Sequence, residues 1–399
     1  EKYPDRNIYV VDSLGASSGY GLFMDKLADF RDEGMSAAEL YEWAQNNRLK
    51  LHHWFFSTDL KYYVRGGRIS KAAGFFGGAL NICPLLNMDS EEEGVMLASC
   101  AGGCRADVKL PVERETVSGT KLTVSLSGLT GGHSGSEIDK GRGNANILMS
   151  RLLRDASAPV AIASIDGGRK DNAIPRECTA QIIVAPDEAA AVKASIEQAA
   201  AEIAEEFKAS DPDLKLTVSE ETDCSESAIS AKDSARVIAL IEALPNGIIR
   251  MSREIDKLVE TSLNLGVLKS DDAAVTLRYA VRSSVGVAKK SLKNQLVCIA
   301  GAFAAEVTFE GDYPAWEYKK DSKLREDMVR IFEEMYGKKP TVEAIHAGVE
   351  CGLLSGKIEG LDCISMGPDM YDIHTTEERL SISSAKRSYE YILRVIACK

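Results

Sequence analysis

The apolar positions along this chain change their spacing several times, and each change predicts an element. Tyr9-Val-Val-Asp-Ser13 is a short apolar run entering the glycine-containing stretch Leu14–Gly19, which predicts a buried strand and a loop. Leu22, Lys26, Leu27 and Phe30 then divide into an apolar stripe and a polar face at helical spacing. Ser36 and Glu39 form a Ser-x-x-Glu capping box that starts a second helix through Leu40 and Trp43. Leu51–Phe56 is rich in β-formers and predicts a central strand. Val95–Cys100 is the next apolar strand, with a turn at Ala101-Gly-Gly103, and the alternation of Lys121–Leu126 predicts a half-buried strand. The Ala/Glu-rich run Asp187–Phe207 has an amphipathic helical period. A further helix near Lys232–Leu244 precedes strands near Glu260–Leu268 and Ala274–Arg282, so residues 106–310 read as one long inserted α+β domain. A helix over Leu324–Tyr336 and a strand over Thr341–Ile345 follow.

Length and charge narrow the classes. A chain of 399 residues can hold two or three domains, each with its own core. A formal charge of -12 argues against nucleic acid or an anionic membrane surface as partner. No apolar run approaches the roughly 20 residues of a spanning helix. Nine cysteines, odd in number and irregular in spacing, favour reduced thiols and a cytoplasmic setting. The start at Glu1, with neither methionine nor a signal pattern, suggests a fragment without a secretory leader.

Candidate chemistry gathers in a few short motifs. An acidic run is ordinarily a solvated loop, but Asp89-Ser-Glu-Glu-Glu93 follows Leu85-Leu86 at a strand end, where an inward carboxylate can meet a cation. His133 lies in Gly131-Gly-His-Ser-Gly135, whose glycines allow close backbone approach and leave the imidazole free. The adjacent His52 and His53 face opposite sides of a strand and cannot ligate one metal together. The loop at Leu14–Gly19 could cradle an anion at a helix start, although its spacing fits no nucleotide fingerprint.

The motif set as a whole resembles the later two thirds of a dinuclear-zinc dipeptidase, the aminoacyl-histidine (Xaa-His) or cytosol non-specific dipeptidase family. The resemblance rests on Asn87-Met-Asp-Ser-Glu-Glu-Glu-Gly94, Gly131-Gly-His-Ser-Gly135, Gly143-Asn-Ala-Asn146, Asn172-Ala-Ile-Pro-Arg176, Ile345-His-Ala-Gly-Val-Glu-Cys-Gly352 and His374. It implies an α/β catalytic domain, here partial and made of 88–105 and 311–399, with residues 106–310 as an inserted α+β lid. It implies two zinc ions per site, with Asp89 a terminal ligand of one and His374 of the other. His133 would donate to the oxyanion of the tetrahedral intermediate. Asn172 would bind the scissile carbonyl or the substrate C-terminus, and Arg282 would clamp the α-carboxylate. His346 and Glu350 would also bind substrate. At His374 the family has prolines where this chain has Ile373 and Thr376. Small dipeptides are the implied partners, and a homodimer is the implied assembly.

Residues 1–87 resemble something else. Val11-Asp-Ser-Leu-Gly-Ala-Ser-Ser-Gly-Tyr-Gly21, Tyr63-Val-Arg-Gly-Gly-Arg-Ile-Ser70 and Leu80-Asn-Ile-Cys-Pro-Leu-Leu86 resemble the middle of a DegV-family fatty-acid-binding protein. This fragment lacks the family's opening domain and closing strands, so acyl binding is not expected of it. In the dipeptidase family, most metal ligands and the general-base glutamate precede the position of Asp89, and none of those motifs occurs here. The chain therefore reads as a chimera joined through the catalytic site, with hydrolysis impaired or lost. Two alternatives stay open: a DegV-type lipid-binding fragment, and a non-catalytic interaction protein.

Overall fold

The computed structural model describes residues 9–11, 18–47, 84–373 and 375–397, with side chains from Phe23 onward in the first helix. The chain divides into two compact units, 1–80 and 81–399. In the first, α1 (Ser18–Asp32) and α2 (Ala37–Asn47) pack through Phe23, Phe30 and Trp43, with Phe30 and Trp43 edge to face at 4.8 Å. The start of α2 follows from its capping box. Ser36 donates from its backbone N–H (2.8 Å) and hydroxyl (2.6 Å) to the Glu39 carboxylate. Residues 12–17 and the expected strand over Leu51–Phe56 lie outside the described residues, as do His52 and His53.

The second unit holds a small sheet and a large one. The small sheet opens with β1 (Pro84–Asn87) and β2 (Val95–Cys100). The chain then crosses on β3 (Gly102–Pro111) into the large sheet. That sheet continues through β4 (Arg114–Ser127). A short pair is then set up by β5 (Gly132–His133), followed by α3 (Ala145–Arg154). Next come β6 (Ala161–Gly167), β7 (Ala173–Ile174), β8 (Cys178–Val184), α4 (Ala189–Phe207) and β9 (Lys215–Ile229). The chain goes on through α5 (Ala231–Ala243), β10 (Gly247–Met251), β11 (Val259–Ser270), β12 (Ala274–Ser283), α6 (Gly286–Ala302) and β13 (Glu306–Tyr313). Among the described residues the large sheet runs β13-β3-β12-β11-β6-β8-β4-β9, with β10 paired to β11, and its pairings are antiparallel. The apolar faces of α3, α4, α5 and α6 close over it in one continuous core that includes Leu122, Ile162, Leu265, Leu277 and Leu296.

The return path rebuilds the small sheet. After α7 (Lys323–Tyr336) come β14 (Thr341–Ile345), the short helix α8 (Glu350–Ser355), β15 (Asp362–Ser365), a hairpin of β16 (Met370–Tyr371) and β17 (Arg379–Leu380), and α9 (Ile382–Ala397). The order is β1-β15-β2-β14, so strands separated by the whole inserted domain pair directly. Leu85 lies opposite Cys363 and Val342 opposite Met96. A core of Met96, Met328, Phe332, Ile364 and Tyr391 packs α7 and α9 against this sheet. The architecture is the expected one: a partial α/β layer carrying an inserted α+β domain, with a separate unit ahead of it. No helix among the described residues is long and apolar enough to cross a membrane.

Two local expectations are corrected. Tyr9–Val11, expected at the start of a buried strand, form no strand, and Tyr9 and Val10 are exposed because no strand among the described residues pairs with them. Ala101-Gly-Gly103 is not a turn; it carries the chain from one sheet directly into the other. The returning strand lies so close that a Cβ on Gly102 would sit 2.4 Å from the Ala315 nitrogen. Cys100 and Trp316 exchange backbone hydrogen bonds of 3.0 and 3.1 Å beside it. The glycine serves close backbone approach rather than a change of direction.

Candidate functional site

The two crossings between sheets bring the glycine turn of His133 against the loop after β14. Gly131 and Gly132 take positive φ angles (67° and 135°), conformations that favour glycine. Glu137 braces the turn, accepting the His133 backbone N–H at 2.8 Å and the Arg142 guanidinium at 2.9 Å. The His133 Nδ1 accepts backbone N–H groups from Gly135 (3.2 Å) and Ser136 (3.1 Å). An imidazole nitrogen that accepts carries no proton, so in the neutral ring the proton sits on Nε2 as a free donor. Partial burial, and then the positive charge of Arg282, push the His133 pKa down and favour that neutral form.

His346 is buried, with its Nε2 2.7 Å from the Ser262 hydroxyl. Desolvation, followed by Arg282, pushes its pKa down to about 4. Ser262 and Arg282 are direct cross-strand partners on β11 and β12, which is how the sheet places a hydroxyl and a guanidinium on this one loop. A Cβ on Gly135 would lie 2.6 Å from the His346 carbonyl oxygen and 2.9 Å from the His133 ring. The two histidines and Arg282 are therefore neighbours.

Arg282 has an unusual environment for a guanidinium. Among the described residues its one hydrogen bond is a 3.4 Å contact from Nη1 to the Tyr313 hydroxyl, its buried Nε has no partner, and no carboxylate pairs with it. Asn172 is exposed, two residues before Ile174, which pairs with Gly132. Its backbone carbonyl accepts the Ser134 N–H at 2.9 Å. The flanking carbonyls of Asp171 and Ala173 accept the Asn264 amide at 3.0 and 2.9 Å. Asn144, at the start of α3, donates to Asn264 in turn (3.1 Å), so the Gly143-Asn-Ala-Asn146 motif supports the Asn172 loop from beneath.

At the other end of the loop, Glu350 begins α8 beside Asp89. Glu350 is held below the usual carboxylate range, first by a hydrogen bond with Asp89 and then by its own backbone N–H. Both are exposed. Glu93 turns away to a bidentate pair with Arg387 (2.7 and 2.5 Å), which removes it from any cation site. His374 lies outside the described residues. Among the described residues no group of three or more His, Cys, Asp or Glu could hold a metal ion. Two neighbouring carboxylates do not fit a catalytic zinc site, which supplies three protein ligands.

Three contributors escaped the sequence reading: Glu137, Ser262 and Tyr313. Glu137, four residues past His133, was within reach of a local argument. Ser262 and Tyr313 join the site only through strand pairing.

Residues 1–99 match the profile described as "Uncharacterised protein, DegV family", and residues 124–211 that of "Peptidase dimerisation domain". The cytosol non-specific dipeptidase of Escherichia coli is 34% identical over 317 residues, covering 78% of this chain and 65% of that protein. The crystal structure of aminoacylhistidine dipeptidase from Vibrio alginolyticus superposes with a TM-score of 0.73 at 31% identity, covering 78% of this chain and 65% of the other. The DegV domain-containing protein CPE0026 of Clostridium perfringens is 40% identical over 93 residues, covering 23% of this chain and 32% of that protein. The chain thus spans 65% of the length of the dipeptidases it matches. It resembles dipeptidases over its larger part, with a peptidase dimerisation domain inside that part, and DegV proteins over its beginning.

Proposed function

We propose that residues 81–399 are the substrate-gripping portion of a dipeptidase that takes small unblocked dipeptides. The observation that carries this reading is Arg282: a guanidinium with no carboxylate partner among the described residues, next to two histidines whose pKa values are lowered by burial first and by Arg282 second. A charge left in this way is satisfied by an anionic ligand, and a planar guanidinium fits a carboxylate in two-point contact. In this reading Arg282 takes the α-carboxylate of the dipeptide. The His133 Nε2–H faces the carbonyl oxygen, where negative charge would develop during attack. Asn172, His346 and Glu350 line the same bound peptide. The resemblance would give Asp89 and His374 to one zinc each, but the described residues do not complete a zinc site, so no activated water is assigned to this chain.

The same reading expects little turnover from this chain. Asp89 and His374 are one ligand per metal, and a single side chain holds hydrated zinc weakly. With zinc or manganese added, hydrolysis of a Xaa-His dipeptide is expected to stay at the metal-ion background. Turnover that disappears in His374→Ala would overturn that expectation. Binding is tested separately, by calorimetric titration with a Xaa-His dipeptide and with its C-terminal carboxamide. The wild-type chain should prefer the free carboxylate, and Arg282→Ala should lose the preference. Equal affinity for the two ligands in the wild-type chain would remove Arg282 from substrate recognition. The DegV-like beginning supports a fatty-acid-binding alternative, for which titration with a long-chain fatty acid is expected to show no saturable binding.

A further inference from the structure

Tyr313 is the last residue of β13, at the point where the chain leaves the inserted domain. Its backbone is fixed by Lys289, a buried lysine whose ammonium donates to the Tyr313 carbonyl and, at 2.6 Å, to Asp312. Its ring occupies a slot between two glycines from different parts of the fold. A Cβ on Gly103 would come within 2.7 Å of the Tyr313 hydroxyl oxygen, and one on Gly348 within 2.9 Å of Cε2. Gly103 belongs to β3, and Gly348 to the loop between His346 and Glu350. Neither position tolerates a side chain while the ring stays where it is.

The slot leaves the hydroxyl facing Arg282. Its oxygen accepts a loose 3.4 Å contact from Nη1, while its own proton has no acceptor among the described residues. Burial above all raises the Tyr313 pKa, so the group remains a phenol and a donor through the neutral range. A donor with an unused proton and a guanidinium without a carboxylate thus stand side by side.

The geometry points to Tyr313 as a second carboxylate-binding residue: its hydroxyl donates to the same ligand carboxylate that Arg282 takes, and so sets the preference for a free peptide C-terminus. This rests on the carboxylate reading of Arg282 proposed above. The 3.4 Å contact suits it, because a weak bond to Nη1 is readily exchanged for two charge-assisted bonds to an incoming anion.

The test is the same pair of ligands, a Xaa-His dipeptide and its carboxamide, titrated calorimetrically into the wild-type chain and into Tyr313→Phe. The phenylalanine ring still fills the glycine slot, so the variant should unfold at the wild-type temperature. Its affinity for the dipeptide should fall about tenfold, the scale of one hydrogen bond to a charged group, with the carboxamide unchanged. A Tyr313→Phe chain that keeps the wild-type preference overturns the role of Tyr313 and leaves that of Arg282 standing. A parallel loss for both ligands assigns Tyr313 to general packing and also overturns the role. A wild-type chain with no preference overturns the Arg282 reading and this inference with it.

Discussion

His346 shows how one buried side chain ties stability to pH. The folded chain holds its pKa near 4, against 6.5 for the free group, mainly through desolvation and then through Arg282. Between those values the unfolded chain binds more protons than the folded one, so stability falls as the solution is acidified. His133, also shifted downward, adds in the same direction. The melting temperature should therefore drop as pH is lowered from about 6.5 toward about 4. His346→Gln should flatten that part of the profile, and an unaltered slope in the variant would assign the dependence to other groups. Local sequence already accounts for some of these environments. The Nδ1 of His133 is capped by the N–H groups two and three residues on, inside its own glycine turn. Nothing local places Arg282 near His346, because 64 positions separate them in sequence.

Elements act here as supports for loops. Asn144 caps α3 by accepting the N–H groups of Asn146 (3.1 Å) and Ile147 (3.3 Å). Its amide also donates to Asn264 and to the Leu265 carbonyl, both at 3.1 Å. Asn144→Ala removes the cap and takes the donor from the buried Asn264 Oδ1, while the Leu265 carbonyl keeps the Asn146 amide, so the change should cost roughly 2 kcal/mol in urea unfolding. The Asn172 loop, held by Asn264 from below, should then exchange its amide hydrogens faster. Unchanged exchange there would separate the cap from the loop. The helical and strand periods predicted these elements well: the Ala/Glu-rich run forms α4, and the Leu324–Tyr336 pattern forms α7. The period failed at Ala101-Gly-Gly103, where glycine usually marks a turn and here admits a neighbouring strand.

At the scale of the whole molecule, residues 81–399 contain both sheets and the cores that cover them. A chain beginning at Asn81 should fold without the preceding residues and unfold cooperatively in urea. Circular dichroism followed across the denaturant range checks this, and a broad, non-cooperative transition would show that the first unit is needed for the fold. The carboxylate preference should also survive this truncation, since Arg282, His133 and Tyr313 all lie beyond residue 81.

The sequence alone determined most of the helices and strands of residues 84–397, because turn chemistry, capping and periodicity act over a few neighbouring positions. Ser36 finding Glu39 and His133 binding its own turn are of that kind. Only the tertiary structure decided what each charged group faces. Register across β11 and β12 set Ser262 beside Arg282 and gave His346 its hydroxyl partner. The return of β13 beside β3 brought Tyr313 between two glycines far apart in the chain. Such neighbours come from pairing between distant strands, and the pKa shifts of His133 and His346 depend on them.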